Sequence, residues 1–380
     1  MKRRKTYFIG EGEEIFNLGG VSFRGGDPYT VVETNTAKTI MSPCDYHYIF
    51  DKKTGFFARW GKTPKDDPEF SPIGPEILDL EISVNGCPNA CKFCYKSNQD
   101  VPATNMTLGQ FKTLMDKMPM TLTQIAFGIT GVQTNPDFIP MLKESRKRGV
   151  IPNFTLSGID LTPKLADEIA PLVGGLAVSV YKTDKNVGYN TVKMFSDRGV
   201  KQTNIHLMAS QETLDFVYEV LRDSKTDSRL EKLNAIVFLG VKPKGRAKGQ
   251  FHSLTSEQYA DLINYCFEND LRFGFDSCSA PKFEQAVKER EMSEERRKVL
   301  LSMSESCESS LFSAYINVKG EYWHCSFSED EPNVECVNVL ECNDFLKDVW
   351  FSPAVIKFRQ RVLNSMRDGC RHCVTYDLKG

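Results

Sequence analysis

Residues 76–98 of the chain read EILDLEISVNGCPNACKFCYKSN and join a strand-like segment to three closely spaced cysteines. In residues 76–84, aliphatic and polar side chains alternate, which is the period of a β-strand with one apolar face. The aliphatic residues are Leu78, Leu80, Ile82 and Val84, and the polar residues are Asp79, Glu81 and Ser83. Cys87, Cys91 and Cys94 follow with the spacing C-x3-C-x2-C. The stretch therefore predicts a strand with three thiols in the loop at its C-terminal end.

The composition is that of a globular protein, with 41% hydrophobic and 26% charged residues in 380 positions. A net charge of −2 gives no global argument for nucleic acid or membrane binding. No stretch approaches the ~20 apolar residues of a membrane helix, and no signal-peptide pattern follows the basic N-terminus. We expect a cytoplasmic protein, or one in the host cytoplasm if it is phage-encoded. Because disulfides are disfavoured there, the 12 cysteines indicate metal binding.

Strand and helix patterns alternate from residue 76 to residue 278, which predicts a parallel sheet that curls toward a barrel. Six β/α units are too few for a closed barrel, so the predicted fold is α/β, a partial (β/α)6 TIM-like barrel. Residues 1–75 are predicted as a β-rich extension and linker with a hairpin at 46–61. Residues 279–380 are predicted as a small α+β cluster-binding domain with a hairpin that turns at Lys319-Gly320. Within it, residues 329–335 are predicted as a solvated acidic loop.

The count of three cysteines favours a particular chemistry. Three thiolates can hold three corners of a cubane iron–sulfur cluster, which leaves the fourth iron open to another ligand. A structural zinc ion requires four N or S ligands. No histidine lies between residues 48 and 205, so a zinc site would need a distant ligand.

The motif, its position after the first strand and the aromatic Phe93 before the third cysteine resemble the radical S-adenosylmethionine (radical SAM) superfamily. The resemblance covers about residues 80–278. It implies a [4Fe–4S] cluster whose open iron is chelated by S-adenosylmethionine, and a reductant such as flavodoxin or ferredoxin. It also implies reductive cleavage to a 5′-deoxyadenosyl radical that abstracts a substrate hydrogen, which is chemistry that a protein orients and shields.

The same resemblance implies positions that contact S-adenosylmethionine. Phe93 is expected against the adenine. The turn at 130–134, which includes Gly131, is expected at the methionine amino group. Gln133 stands where the family usually has glutamate. The alternative is that Gln133 is only a loop residue. Ser179 is expected near the ribose or carboxylate, and Gly240 beside the adenine.

Four cysteines near the end of the chain form a second pattern: C-x12-G-x4-C over 307–325, with Gly320 as the glycine, and then C-x2-C. The pattern resembles the twitch domain, a shorter relative of the SPASM domain. It implies an auxiliary [4Fe–4S] cluster with four ligands, although zinc also suits four thiolates. The implied ligands are Cys307, Cys325, Cys370 and Cys373. Cys336 and Cys342 are expected to be ordinary thiols, and Cys44 and Cys266 to be structural.

Several candidates for catalysis follow from the predicted sheet. Asp79 and Glu81 are expected to face the barrel cavity, where they would bind a cationic or hydroxylated substrate or act as acid or base. An internal salt bridge is the alternative. Cys278 ends the last strand. Its possible roles are a hydrogen-atom donor, a metal ligand or a buried apolar residue. His206 and Tyr181 lie at further strand ends.

The implied function is oxidation or isomerisation of a small molecule, amino acid or peptide. The N-terminal 75 residues do not resemble the winged-helix domain of many peptide-modifying relatives, which weakens the peptide interpretation. A second hypothesis is a radical isomerase of amino-acid-modified thymine in phage DNA, with the basic loop 242–248 near phosphate. The alternatives for that loop are anion binding and simple solvation. A third hypothesis is a non-catalytic metal-cluster or zinc protein.

Overall fold

The computed structural model describes residues 3–8, 15–18, 21–24, 28–41, 46–63, 65–98, 102–331, 334–367 and 369–376. Cys44 lies outside these ranges. Near the N-terminus, strands β1, β4, β5, β6 and β7 form an antiparallel sheet in that order, and β2 pairs with β3. The strands are β1 (Arg3–Phe8), β2 (Ile15–Leu18), β3 (Val21–Arg24), β4 (Pro28–Glu33), β5 (Ala37–Met41), β6 (His47–Asp51) and β7 (Phe57–Trp60).

The predicted hairpin at 46–61 is confirmed as the pair β6–β7. Its turn is set by Asp51, whose carboxylate accepts hydrogen bonds from the backbone N–H of Lys53 and Thr54, each 2.8 Å long. Gly55 closes the turn with φ +74°, a backbone conformation that glycine adopts without strain.

The central sheet is built on parallel strands in the order β16-β15-β14-β13-β12-β11-β8. The strands of this region are β8 (Ile77–Glu81), β9 (Ser83–Val84), β10 (Thr104–Asn105), β11 (Gln124–Gly128), β12 (Ile151–Leu156), β13 (Gly175–Ser179), β14 (Gln202–Ala209), β15 (Ala235–Gly240) and β16 (Phe273–Phe275). The helices are α1 (Leu108–Lys117), α2 (Phe138–Lys147), α3 (Pro163–Ile169), α4 (Lys185–Ser196), α5 (Leu214–Thr226), α6 (Ser256–Glu268) and α7 (Ala280–Glu289). Strands and helices alternate along the chain, which confirms the predicted partial barrel.

Local signals explain where most helices begin. Thr107 caps α1 and Thr255 caps α6, each in a capping box with the glutamine three residues later. Two details differ from the prediction. Helix α4 begins at Lys185, not near 190, and α7 follows β16, where the alternation was predicted to stop. None of the helices in the described part of the chain has the length and apolar character needed to cross a bilayer.

The two faces of the sheet differ as the alternation in 76–84 predicts. Leu78 and Leu80 of β8 are at most 1% exposed and belong to the apolar core shared with the helices. Of the alternate positions, Ile77 and Asp79 are partly exposed and Glu81 is 5% exposed. The register places Asp79 beside Ala126 and Ala126 beside Asn153. The polar face of β8 therefore lines the interior of the partial barrel.

The C-terminal region adds to the same sheet. Its elements are α8 (Glu294–Ser302), β17 (Ser313–Ile316), β18 (Glu321–Trp323), β19 (Val337–Asn338), α9 (Pro353–Asn364), β20 (Met366–Arg367) and β21 (Cys370–Arg371). Strand β17 runs parallel to β8, with Tyr315 beside Asp79, so the predicted hairpin β17–β18 extends the barrel sheet. Gly320 turns the hairpin with φ +85°, and a Cβ there would lie 2.6 Å from Leu340.

The N-terminal sheet packs at the end of the barrel where the parallel strands begin. Lys38 donates a 2.6 Å hydrogen bond from Nζ to the carbonyl of Leu122, and the Tyr48 hydroxyl lies 3.1 Å from Thr123 Oγ1, just before β11. Tyr46 donates to Glu76, the residue before β8, over 2.7 Å. The opposite end, where the strands finish, carries the cysteine loop.

Candidate active site

The three-cysteine loop leaves β9 through two residues in the left-handed region, Asn85 (φ +64°) and Gly86 (φ +63°). Cys87, Cys91 and Cys94 are partly buried, and Cys94 donates from its N–H to the carbonyl of Cys91 over 3.2 Å. Burial raises the pKa of the Cys91 thiol, and the nearby Cys87 and Cys94 raise it further. The thiols are therefore close enough to repel one another as thiolates, which a bound cation would offset.

The loop after β15 packs against the cysteine loop and is hydrogen-bonded to it. Arg246 donates a 3.0 Å hydrogen bond from its backbone N–H to Cys94, and a second of 3.0 Å from Nε to the carbonyl of Cys91. Gly245 has φ +57°, and a Cβ there would lie 2.4 Å from the carbonyl oxygen of Tyr95. Only glycine allows this approach, so the position of the cysteine loop depends on a residue about 150 positions away.

The basic loop 242–248 is largely occupied by contacts within the chain. Lys242 is 4% exposed and donates to the carbonyl of Gly240 over 2.7 Å and to Asp276. Lys244 donates to the carbonyl of Phe327 over 3.1 Å. Lys248 alone of the four cations is fully on the surface. Of the two alternatives, simple solvation is wrong for Lys242, and anion binding receives no support.

Lys96, two residues after Cys94, is the centre of a buried network that joins the barrel to the C-terminal region. Its Nζ lies 3.1 Å from Glu81 and also contacts Glu329, and it donates a 2.5 Å hydrogen bond to the Tyr315 hydroxyl. Tyr315 in turn donates to Glu329 over 2.9 Å. The prediction that 329–335 is a solvated loop is therefore wrong for Glu329, because Lys96 draws its carboxylate inward.

The network around Lys96 affects the ionisation of the Glu81 carboxyl group. Burial raises the pKa of the Glu81 carboxyl, and Lys96 opposes this shift. The carboxylate is therefore held in the internal salt bridge that the sequence left open as an alternative. A direct catalytic role for Glu81 stays a prediction.

Asp79 has a different environment on the same face of β8. Among the described residues its carboxylate has no hydrogen bond or ion pair, and burial with the nearby Glu308 raises its pKa to about 6. A carboxyl with this pKa exchanges a proton near neutral pH and can serve as an acid or base. Asp79 is therefore the better placed of the two carboxylates for chemistry in the barrel.

We expect Asp79→Asn to stabilise the protein at pH 8 by about 1–2 kcal/mol more than it does near pH 4.5. Because the folded-state pKa of about 6 exceeds the ordinary 3.8, the neutral carboxyl favours folding at low pH, and this contribution is lost as the pH rises through 6. Urea unfolding of the metal-free protein at both pH values measures the difference. Asp261→Asn, on the exposed side of α6, is the matched control. Equal effects of Asp79→Asn at the two pH values would contradict the assignment.

Several residues that the resemblance assigns to S-adenosylmethionine lie around the cysteine loop. The Phe93 ring packs against Tyr181 and Phe251, with centroids 6.0 and 5.6 Å apart. The Tyr181 hydroxyl is close enough to Cys91 and Ser179 for each to affect its pKa, and burial is the main cause of the raised value. The structure thus brings Phe93, Tyr181 and Ser179 together beside Cys91, and their contact with a cofactor stays a prediction.

Gly240 is placed less favourably for its predicted role. Its N–H donates to Asp276 over 3.2 Å, and its carbonyl accepts from Lys242. Both backbone groups are therefore used within the chain, so Gly240 retains only a van der Waals surface for an adenine ring.

His206 lies near Thr155, with Nδ1 3.4 Å from Oγ1, and burial lowers its pKa to about 4. It is neutral at pH 7.

The turn at 130–134 reveals a residue that the sequence did not indicate. Asp160, after β12, accepts a 2.9 Å hydrogen bond from the N–H of Gln133, and a Cβ at Gly131 would lie 2.5 Å from its Oδ2. The Oδ1 atom of Asp160 is buried and has no hydrogen-bond partner. The turn that has Gln133 in place of glutamate therefore has a carboxylate beside it from another strand end. Only the three-dimensional contact reveals this pairing.

The C-terminal cysteines lie mostly in one region. Burial raises the pKa of Cys325 to about 11, and Cys307 and Cys373 contribute to the shift. The N–H of Tyr376 donates to the sulfur of Cys373 over 3.3 Å. Cys336 is exposed, and Cys342 is buried with its thiol 3.2 Å from the carbonyl of Val339.

Both cysteine sets consist of thiols, the soft donors that iron–sulfur clusters use. Within the described ranges, no three or more histidine, cysteine, aspartate or glutamate side chains form a group that could hold a metal ion. The ligand sets Cys87, Cys91, Cys94 and Cys307, Cys325, Cys370, Cys373 therefore stay predictions.

No protein-family model matches the chain, and no curated protein matches it. Among solved structures, SuiB of Streptococcus suis bound to the precursor peptide SuiA matches with a TM-score of 0.58 and 14% identity, over 76% of this chain and 67% of SuiB. Native anSMEcpe with bound AdoMet and the Kp18Cys peptide matches with a TM-score of 0.56 and 15% identity, over 79% of this chain and 87% of that protein. The chain has the fold of SuiB and anSMEcpe. SuiB has also been solved bound to S-adenosylmethionine, and that structure matches with a TM-score of 0.55 and 13% identity. The fold that the resemblance implied is thus confirmed.

Proposed function

We propose that the chain is a radical SAM enzyme that oxidises or isomerises a peptide or amino-acid substrate. The observation that carries the proposal is the position of the cysteine loop. Cys87, Cys91 and Cys94 follow the first barrel strand, in a fold shared with two proteins that have been solved with bound AdoMet. In open α/β folds, ligands bind at the carboxyl ends of the strands, which is where this loop lies.

The cofactors of the proposed enzyme are a [4Fe–4S] cluster on Cys87, Cys91 and Cys94, S-adenosylmethionine, and an auxiliary [4Fe–4S] cluster. Bound together, the first cluster and S-adenosylmethionine supply the 5′-deoxyadenosyl radical. The chain's own residues hold and shield this site. Arg246 and Lys96 fix the cysteine loop, while Phe93 and Tyr181 form an apolar wall beside Cys91.

The substrate class is supported by two observations. The matched structures of SuiB and anSMEcpe contain peptides. In this chain, Asp79 faces the barrel interior without an ionic partner among the described residues, and so suits the amino group of a peptide or amino acid. The antiparallel N-terminal sheet lies at the opposite end of the barrel, so it does not contribute to substrate recognition in this proposal.

The hypothesis of a DNA-directed isomerase has less support. It requires free cations to contact phosphate, and the loop 242–248 was its main candidate. Lys242, Lys244 and Arg246 instead bind groups of this chain. The peptide and amino-acid proposal makes no demand on these cations.

Anaerobic reconstitution with iron and sulfide tests the proposal. We expect about eight irons per chain for two clusters, and 5′-deoxyadenosine when S-adenosylmethionine and a strong reductant such as dithionite are added. A metal analysis that finds zinc instead of iron, or iron loading without any 5′-deoxyadenosine, would favour the non-catalytic hypothesis. A reduced flavodoxin or ferredoxin in place of dithionite tests the expected partner.

We also propose that Asp160 supplies the carboxylate that the turn with Gln133 lacks and binds the ammonium of S-adenosylmethionine. Loss of a charge-assisted hydrogen bond costs about 1.5–3 kcal/mol, so Asp160→Asn should weaken S-adenosylmethionine binding about tenfold or more. Equilibrium dialysis against the cluster-loaded protein measures this. Asp167→Asn, whose carboxylate forms an exposed ion pair with Arg198, is the control. An unchanged Kd in Asp160→Asn would exclude this role.

A further inference from the structure

A polar cavity of about 1000 Å³, here called the α7 cavity, lies between α7 and the C-terminal segment. One wall is α7, and the other is formed by the end of α9 and by residues 372–376. Cys278, in the short turn between β16 and α7, also lines the cavity. The cavity therefore reaches the point where the last barrel strand ends. The roles predicted for Cys278 itself stay predictions.

The α7 cavity extends well beyond the cysteines that line part of it, Cys278, Cys370 and Cys373. Its lining residues on α7 run from Pro281 to Glu289, which at 1.5 Å per residue is a length of about 12 Å. An extended peptide rises about 3.3 Å per residue, so about four residues fit along this wall. The volume is at the upper end of the range of about 300–1000 Å³ that is typical of ligand pockets.

The lining of the α7 cavity carries more positive than negative side chains. The cationic residues are Lys282, Lys288, Arg361 and Arg367, and the acidic residues are Glu284 and Glu289. Both carboxylates have partners on α7 itself. Glu284 lies 3.4 Å from Lys288, and Glu289 accepts a 2.9 Å hydrogen bond from Gln285. The acidic residues are therefore directed to their own helix.

Three of the four cations have no acidic partner within the described ranges. Lys282 donates a 2.5 Å hydrogen bond to the carbonyl of Leu254, and Arg361 donates one of 2.7 Å to the carbonyl of Val374. Arg367 is exposed, and among the described residues it forms no ion pair. A neutral carbonyl does not cancel a positive charge, so these three side chains favour an anionic ligand.

The wall opposite α7 is held in shape by hydrogen bonds within the C-terminal segment. Ser365 Oγ accepts from the N–H of His372 over 3.1 Å and donates to its carbonyl over 2.9 Å. These bonds close the hairpin that carries Arg367. A wall that is already ordered lowers the entropic cost of binding a flexible ligand.

We propose that the α7 cavity binds an acidic segment of the peptide substrate, whose carboxylates contact Lys282, Arg361 and Arg367. The inference rests on the proposed function, because it takes a peptide as the substrate. Shape favours a peptide over a folded electron-carrier protein. A concave cavity about 12 Å long accepts an extended chain, whereas a folded protein would contact only its rim. Because the cavity reaches the end of β16, the bound segment would lead toward the barrel.

Isothermal titration calorimetry of the cluster-loaded protein with a capped tetraglutamate peptide tests the inference. We expect wild-type protein to bind this peptide at least about tenfold more tightly than a capped tetraglutamine peptide. Arg367→Glu should weaken tetraglutamate binding about fivefold or more, because it removes an attraction and adds a repulsion, and Arg367→Gln should have a smaller effect. Arg222→Glu, at an exposed position of α5, is the matched control and should change the Kd less than about twofold. Circular dichroism verifies that each variant is folded.

Equal affinities for the two peptides, or equal effects of Arg367→Glu and Arg222→Glu, would overturn the inference. If Arg367→Glu instead slows reduction of the clusters by flavodoxin and leaves tetraglutamate binding unchanged, the face is a docking site for an electron carrier and the peptide assignment is wrong. The titration contains no S-adenosylmethionine, so it is independent of catalysis. Wild-type protein that binds tetraglutamate and forms no 5′-deoxyadenosine would contradict the proposed function alone. Protein that forms 5′-deoxyadenosine and does not bind tetraglutamate would contradict this inference alone.

Discussion

Replacement of Cys91 by alanine is expected to abolish 5′-deoxyadenosine formation while the auxiliary cluster remains. The loss should exceed about 100-fold, because even an outer-shell partner of a metal ligand contributes 10–100-fold and Cys91 is a proposed ligand. Iron should fall from about eight to about four per chain. Cys91 is the most informative of the three cysteines, since Arg246 donates a hydrogen bond to its carbonyl and so fixes its place in the loop.

The matched control for this prediction is Cys336→Ala, which removes an exposed thiol outside both proposed ligand sets. It should retain the iron content and the activity of the wild type. Iron analysis and quantification of 5′-deoxyadenosine by chromatography provide two independent readouts. A Cys91→Ala variant that retains full activity would contradict the assignment of the loop as the S-adenosylmethionine site. Retained iron with lost activity would instead indicate that Cys91 acts without binding metal.

The sequence predicts the parts of this fold that depend on neighbouring residues. The alternation in 76–84 predicts both β8 and the polar lining of the barrel, because side chains of a strand point to opposite faces. Thr107 with Gln110 predicts the start of α1 since both capping hydrogen bonds are local. The C-x3-C-x2-C spacing places three thiols in one loop without any knowledge of the remaining chain.

The contacts that complete the site are those between distant residues. Asp160 lies 27 positions from Gln133, and Gly245 packs against Tyr95 across 150 positions. Neither aspartate nor glycine has a distinctive local pattern at these positions. The same limit applies to Cys278 and Cys373, which line one cavity although they lie 95 positions apart in the chain. A single sequence has no signal for such pairs, although the orphaned Oδ1 of Asp160 becomes conspicuous once the fold is known.

Lys96 shows how one distant contact can hold two parts of the molecule together. Its side chain is 12% exposed, and those of its partners Glu81 and Glu329 are 7% and 14% exposed. Lys96 also lies over the Tyr315 ring, with Nζ 4.9 Å from the centroid. Removal of the ammonium would leave two carboxylates in a poorly hydrated region, and an uncompensated buried charge is strongly unfavourable.

We therefore expect Lys96→Met to lower the free energy of unfolding by about 3–5 kcal/mol, the range for removal of one partner of a buried ion pair. Lys92→Met, at an exposed position on the same loop, should change it by less than about 0.5 kcal/mol. Adding Glu329→Gln to Lys96→Met should restore part of the lost free energy of unfolding, because one of the two unpaired carboxylates is then replaced by a neutral amide. Urea unfolding of the metal-free proteins measures all three. If Lys96→Met proves as mild as Lys92→Met, the network does not hold the cysteine loop against the C-terminal hairpin. If the double variant recovers stability but still fails to bind the first cluster, the role of Lys96 extends to positioning the three thiols.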